Sequence, residues 1–213
     1  MILNKTRYMK RIKALLFDLG GVIVNLDYSK TIEAFEAIGL KDAEHLYNQF
    51  NQSKIFDEFE IGAISGQEFI HLLQKKISRK ANQNEIKKAW NAMILDFDKS
   101  KLEQIKIYSD KIPCYLLSNT NEIHLEHIRN ILQEMPFKNL ELLFKKCYYS
   151  NVIGKRKPFK ETFEWVLNDM GYLAKDVLFI EDSPQHIMGA KKSGLNTLYY
   201  TNDTNISEIE SWL

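Results

Sequence analysis

The chain has 213 residues, long enough to bury a core without disulfide or metal staples. Its 29 Lys+Arg and 28 Asp+Glu leave a net charge of +1 and imply no bulk electrostatic partner such as nucleic acid, while 12% aromatics argue against intrinsic disorder. The two cysteines, Cys114 and Cys147, are too few and too far apart for a zinc site or a disulfide scaffold and read as reduced, buried thiols of a cytoplasmic protein.

Residues 1–13 carry Lys5, Arg7, Lys10, Arg11 and Lys13 and no acid. The apolar run behind them ends at Asp18 and has no small-residue cleavage site, so the segment reads as a basic, frayed start and not a signal peptide, with Met9 an alternative initiator. No window approaches the ~18 apolar residues that a membrane span needs.

The first predicted strand is 12–17. From 29 to 96 the sequence offers no convincing strand and several helical patterns. Ser65 and Glu68 form a capping box ahead of Phe69, Leu72, Leu73 and Ile77, and Asn82 with Glu85 makes a similar start for Ile86, Ala89, Trp90, Met93 and Ile94. These apolar stripes read as the core of a helical insert, since one-sided helices need each other. Beyond it, short apolar runs at 114–117, 147–149, 177–180 and 197–200 read as strands buried on both faces. Helical patterns at 121–133, 159–170 and 184–193 separate them. Pro158 and Gly171 bracket the second of these, and Gly194 closes the third. The alternation predicts an α/β fold with a parallel sheet and right-handed crossovers. It divides the chain into a core, 1–28 with 97–213, and an inserted α-helical domain, 29–96.

Ligands of an open α/β sheet bind beyond the carboxyl ends of its strands. The residues there are Asp18-Leu19-Gly20-Gly21, Ser118-Asn119-Thr120, Gly154-Lys155-Arg156-Lys157-Pro158 and Glu181-Asp182-Ser183. These parts suit phosphoryl transfer. A strand-end carboxylate can form an acyl phosphate, carboxylates and carbonyls suit a hard cation such as Mg²⁺, and a hydroxyl and a lysine can stabilise the transferring group. Each piece alone is ordinary turn or capping chemistry. The information lies in their ordered combination.

That combination resembles the haloacid dehalogenase superfamily, the aspartate-nucleophile phosphatases and related hydrolases. Leu15 to Val22 resembles its first motif, Leu116 to Asn119 the second, Gly154 to Pro158 the third and Phe179 to Ser183 the fourth. The insert resembles the family's small helical cap, and Glu60 to Ser65, followed by Glu68-Phe69, is similar to a cap segment of members acting on sugar phosphates. The resemblance implies a Rossmann-like core and a Mg²⁺-dependent phosphatase of a small phosphorylated metabolite, such as a sugar phosphate. It implies Asp18 as nucleophile and metal ligand, the Gly20 carbonyl and Asp182 as further ligands, Glu181 as a nearby ligand or a base for metal-bound water, Ser118 and Asn119 as phosphate holders, and Lys157 linking nucleophile and phosphate.

One position departs from that pattern. Most phosphatases of the family carry an acid where this chain has Gly20, which keeps the carbonyl but cannot transfer a proton, a contribution of typically ~10²–10⁴-fold. Either Asp27, Glu58 or Glu60 supplies the acid, or the leaving group is a good one, as in a sugar 1-phosphate or an acyl phosphate, or the protein binds phosphorylated ligands without turning them over. A phosphomutase and a dehalogenase are the remaining alternatives of the same family. His124 and His127 lack a third metal ligand, and His186 either orders Asp182 or caps its helix. Oligomeric state is not legible in the sequence.

Overall fold

The computed structural model describes residues 12–46, 53–78, 80–201 and 204–213. The basic run through Arg11, and Met9 within it, lies outside the described residues. In chain order the elements are β1 (Ala14–Phe17), β2 (Val24–Leu26), α1 (Tyr28–Ala37), α2 (Ala43–Leu46), α3 (Lys54–Glu60), α4 (Gly66–Gln74), α5 (Gln83–Asn91), β3 (Ile94–Phe97) and α6 (Lys99–Ser109). Then follow β4 (Cys114–Ser118), α7 (Glu122–Gln133), β5 (Lys146–Tyr149), α8 (Ser150–Ile153), α9 (Lys160–Met170), β6 (Val177–Glu181), α10 (Pro184–Lys192) and β7 (Asn196–Tyr199).

Among the described residues five strands form a parallel sheet in the order β5-β4-β1-β6-β7. Every residue of β1, β4 and β6 is buried, as continuous apolar runs in a doubly covered sheet should be. Side chains alternate between two cores. Leu15, Phe17, Leu116, Leu178 and Ile180 face one, while Leu16, Leu117, Phe179, Phe163 and Ala190 build the other. The α/β architecture with its parallel sheet therefore stands as read.

The insert differs from the reading in two respects. It begins and ends in a short antiparallel ribbon, β2 with β3, pairing Val24 with Phe97 and Leu26 with Ile94. Residues Met93 and Ile94, read as the end of a helical stripe, instead lead into β3. Its burial pattern is buried, exposed, exposed, buried, so no period of two was there to see. The second difference concerns the core. Phe35, Phe56, Phe69 and Trp90 pack on one another as read, but they also join the same buried cluster as Leu15 and Phe17, so the insert's core is continuous with that of the sheet domain. Phe69 lies at its centre, stacked on Phe59 at 4.2 Å and tilted against Trp90 at 5.4 Å. Both expected capping boxes form, at Ser65 and at Asn82. No helix among the described residues is long and apolar enough to cross a membrane.

The sheet topology also fixes where a ligand can sit. β1 has β4 on one side and β6 on the other, so the strand order reverses at β1 and leaves a crevice at its carboxyl end. Register pairs Phe17 with Leu116 and with Ile180, which brings Asp18, Ser118 and Glu181 to one edge.

Helix α10 packs closely on the loop that reaches this edge. A Cβ added at Gly189 would lie 2.2 Å from the Pro158 carbonyl oxygen. Helix propensity alone favours Ala over Gly by ~0.8–1.0 kcal/mol. Here the sign should reverse, and Gly189→Ala should lower unfolding free energy by about 1–3 kcal/mol through overpacking, read by urea denaturation.

Candidate active site

Lys157 is the cation of the site. It is 1% exposed, and its Nζ lies 2.7 Å from Asp18 Oδ1 and 2.7 Å from Glu181 Oε2. A buried ammonium requires such partners. Its backbone is set from across the sheet. The Asn119 side chain accepts from the Lys157 amide at 2.9 Å and donates to the Lys157 carbonyl at 3.0 Å. Asp18 is placed by β1, and its amide donates to the Ile180 carbonyl at 2.9 Å. Glu181, at the end of β6, is fully buried. Its Oε1 accepts from the Ser183 amide at 3.0 Å, and His186 Nδ1 lies 3.1 Å from its Oε2.

Asp182 occupies a cradle that only glycine leaves open. A Cβ at Gly21, whose φ is +74°, would fall 2.1 Å from Asp182 Oδ2. Burial, then the charge of Glu181, pushes the Asp182 carboxyl up to about 7. Burial and Glu181 likewise hold Asp18 well above the usual carboxylate range, against the pull of Lys157. Burial also opposes ionisation of Glu181, but Lys157 and His186 overcome it and hold that carboxyl well below its ordinary value. Burial depresses His186, aided by the Lys157 charge.

Three carboxylates thus face one buried ammonium. The donor set, oxygen with surplus negative charge, fits a hard divalent cation. Asp18, Glu181 and His186 each present an atom within 4.8 Å of the others, but Glu181 already serves Lys157 and the Ser183 amide. It supports Lys157 from behind the cavity. His186, read as ordering Asp182 or capping its helix, lies 3.1 Å from Glu181.

Asp18, Gly20, Ser118, Asn119, Lys157 and Asp182 line a single cavity of about 90 Å³. At ~10–15 Å³ per water position this is space for a handful of waters, which suits a small ligand. The basic run expected to face it divides. Lys157 lies at its floor, and Lys155 lies outside it. Arg156 reaches it but pairs with Asp57 and, at 3.1 Å, with Glu60 of α3. Of the three acids considered in place of Gly20, Asp27 caps α1 by accepting from the Ser29 amide at 3.0 Å, and Glu58 pairs with Lys54 at 3.4 Å. Glu60 alone of these lines the cavity.

Sequence reasoning passed over Tyr28, which also lines it. No local signal marks a tyrosine at the start of a helix as a site residue. Burial, then Asp182 and Asp18, pushes its phenol far upward, so it stays protonated. His124 also lines the cavity, but as a buried, packed side chain. It stacks on Trp90 at 4.5 Å, its Nε2 lies 3.1 Å from the Trp90 carbonyl, and burial lowers it to about 4.

A family model described as haloacid dehalogenase-like hydrolase matches residues 12–194. A D-ribitol-5-phosphate phosphatase of Bacteroides thetaiotaomicron is 33% identical over 186 residues, 87% of this chain and 90% of that protein. A HAD-family enzyme of the same organism, solved as an aspartate-to-alanine variant with magnesium and inorganic phosphate, superposes with a TM-score of 0.88 at 32% identity, covering 93% of this chain and 98% of that one. A HAD-like hydrolase from Porphyromonas gingivalis gives 0.85 at 29% identity, covering 94% and 97%.

The raised Asp182 carboxyl links stability to pH. Between about 4, the value of an unfolded aspartate, and about 7 the native group keeps a proton that the unfolded chain has released. Its contribution is therefore present at low pH and is lost as pH rises through that window. Asp182→Asn should flatten this dependence. In chelator at pH 8 the variant should unfold at higher urea than the parent.

Proposed function

The chain belongs to the haloacid dehalogenase-like hydrolases, and from that premise we propose that it is a Mg²⁺-dependent phosphatase of small phosphate monoesters, with sugar or polyol phosphates as substrates. The carrying observation is the buried lysine held between Asp18 and Glu181, with Ser118, Asn119 and Asp182 around the same cavity. The name of the ribitol phosphate relative and the small cavity support the substrate class.

In this reading an Asp18 carboxylate oxygen attacks phosphorus, the bond to the alcohol oxygen breaks, and an acyl phosphate forms. Water then attacks that phosphorus, releasing inorganic phosphate and restoring Asp18. Lys157 offsets the charge of the phosphoryl group and fixes the carboxylate that attacks. The Ser118 hydroxyl and the Asn119 amide hold phosphoryl oxygens, while the Asn119 side chain keeps Lys157 in place. Asp18, Asp182 and the Gly20 carbonyl would hold Mg²⁺, which supplies charge neutralisation and a template for the phosphate when bound. Residues 29–96 form the cap, and the cap chooses the alcohol. Gly20 contributes no proton, so the leaving oxygen departs as an anion or takes its proton from another group.

Asp18→Asn should lower phosphate release from sugar phosphates at least ~10³-fold while leaving the thermal transition in place. Unchanged release by that variant would sink the assignment. Chelation should abolish turnover, with recovery on adding Mg²⁺. A side chain at residue 20 would meet only the flexible end of Leu26, at 2.6 Å. Gly20→Asp should therefore be accommodated and should raise turnover of alkyl phosphates, whose leaving groups are poor, by ~10²-fold. Absence of a gain would mean that another residue already supplies the proton.

A further inference from the structure

We propose that Glu60, positioned by Arg156, selects hydroxylated substrates by accepting hydrogen bonds from hydroxyls of the leaving alcohol. The inference rests on the phosphatase reading and deepens it, assigning a residue to recognition of the alcohol. Glu60 ends α3 and is 8% exposed, yet it lines the cavity that holds Asp18. Its Oε2 lies 3.1 Å from Arg156 Nε, and the same guanidinium pairs with Asp57 one turn earlier. An ion-paired carboxylate accepts hydrogen bonds and donates none. Glu60 is therefore unsuited to replace the acid absent at Gly20 and suited to bind alcohol hydroxyls.

Its position is registered against the phosphate end of the site. The Glu60 carbonyl accepts from Ser150 Oγ at 2.6 Å, and that hydroxyl accepts from the Thr120 amide at 2.9 Å. Thr120 directly follows Ser118 and Asn119, so one fully buried serine ties the carboxylate's backbone to the loop proposed to hold the phosphoryl group. The turn beyond it is equally constrained. Gly62 has φ +68°, and a Cβ there would lie 2.2 Å from the Asn151 carbonyl oxygen. The spacing between phosphoryl loop and carboxylate is thus set by contacts between buried groups. Tyr28 adds a protonated phenol to the same cavity, and Met93 an apolar side chain. Hydroxyls of a polyol chain can exchange hydrogen bonds with the carboxylate and the phenol in addition to the partners these groups already have. An alkyl or terpenyl chain would desolvate both without replacing their hydrogen bonds, the situation in which polar sites discriminate strongly.

The test compares a pentitol 5-phosphate with pentyl phosphate, which has the same chain length and no hydroxyls. The parent should favour the pentitol phosphate at least ~10²-fold in kcat/KM. Glu60→Gln should cut that preference to ~10-fold or less, chiefly through a higher KM for the pentitol ester. Tyr28→Phe, which removes one oxygen, should reduce it by a smaller factor and guards against misfolding of the first variant. Calorimetry on Asp18→Asn protein with Mg²⁺ separates recognition from turnover. The pentitol phosphate should bind at least ~10-fold tighter than pentyl phosphate, and adding Glu60→Gln should erase the difference. A preference that survives Glu60→Gln in both measurements overturns the inference. Absence of turnover by the parent with the binding preference intact overturns the phosphatase reading and leaves the recognition role of Glu60 standing.

Discussion

A fully buried ammonium has to be surrounded by acceptors, and this constraint organises the centre of the molecule. Lys157 finds them in Asp18 and Glu181, which belong to neighbouring strands, β1 and β6, and stand side by side because Phe17 is in register with Ile180. Removing Lys157 would leave the fully buried Glu181 carboxylate without its main counter-charge, at a cost of about 3–5 kcal/mol. The surrounding residues serve the same arrangement. Asn119 clamps the lysine backbone, Gly189 gives way to the Pro158 carbonyl, and the Ser183 amide with His186 steadies Glu181. Asp182, pressed against Gly21, adds a carboxylate that makes no ion pair among the described residues. The resulting surplus of negative charge destabilises the protein alone and suits it to a divalent cation, an instance of a site whose chemistry opposes its own stability.

The helical insert is joined to this centre by polar contacts as well as by packing. Arg156 extends from the loop that carries Lys157 to Asp57 and Glu60 on α3, so two cations adjacent in the sequence line one cavity with different partners. Ser150 bridges α3 to the loop after β4. On the other flank Trp90 stacks on His124, and its Nε1 donates to Asn121 Oδ1 at 3.3 Å. Burial keeps that imidazole neutral, so the contact behaves as a packing element near neutral pH.

Much of this was legible in single segments. The apolar runs at 114–117 and 177–180 could hardly be anything but covered strands, and the capping boxes at Ser65 and Asn82 announce helices through local hydrogen bonds. Asp18, Ser118, Lys157 and Asp182 were recognisable because each ends or directly follows a strand or precedes a proline. What escaped was non-local. β2 and β3 are short and irregular in burial, and they exist as strands only because each finds the other across the whole insert. Tyr28 carries no motif, and Arg156 is indistinguishable from its neighbours until α3 is laid beside it.

The sequence by itself determined the α/β class, the helical insert and the set of residues at the strand ends, since propensity, period and capping act over a few residues. Tertiary structure alone decided which of those residues meet. It assigned Glu181 to Lys157, set Arg156 against Glu60, placed Asp27 and Glu58 away from the cavity, and merged the insert's apolar stripes with the core of the sheet. The physical reason is that burial, charge pairing and cavity shape depend on groups distant in the chain, whose mutual position only the packed sheet and its insert define.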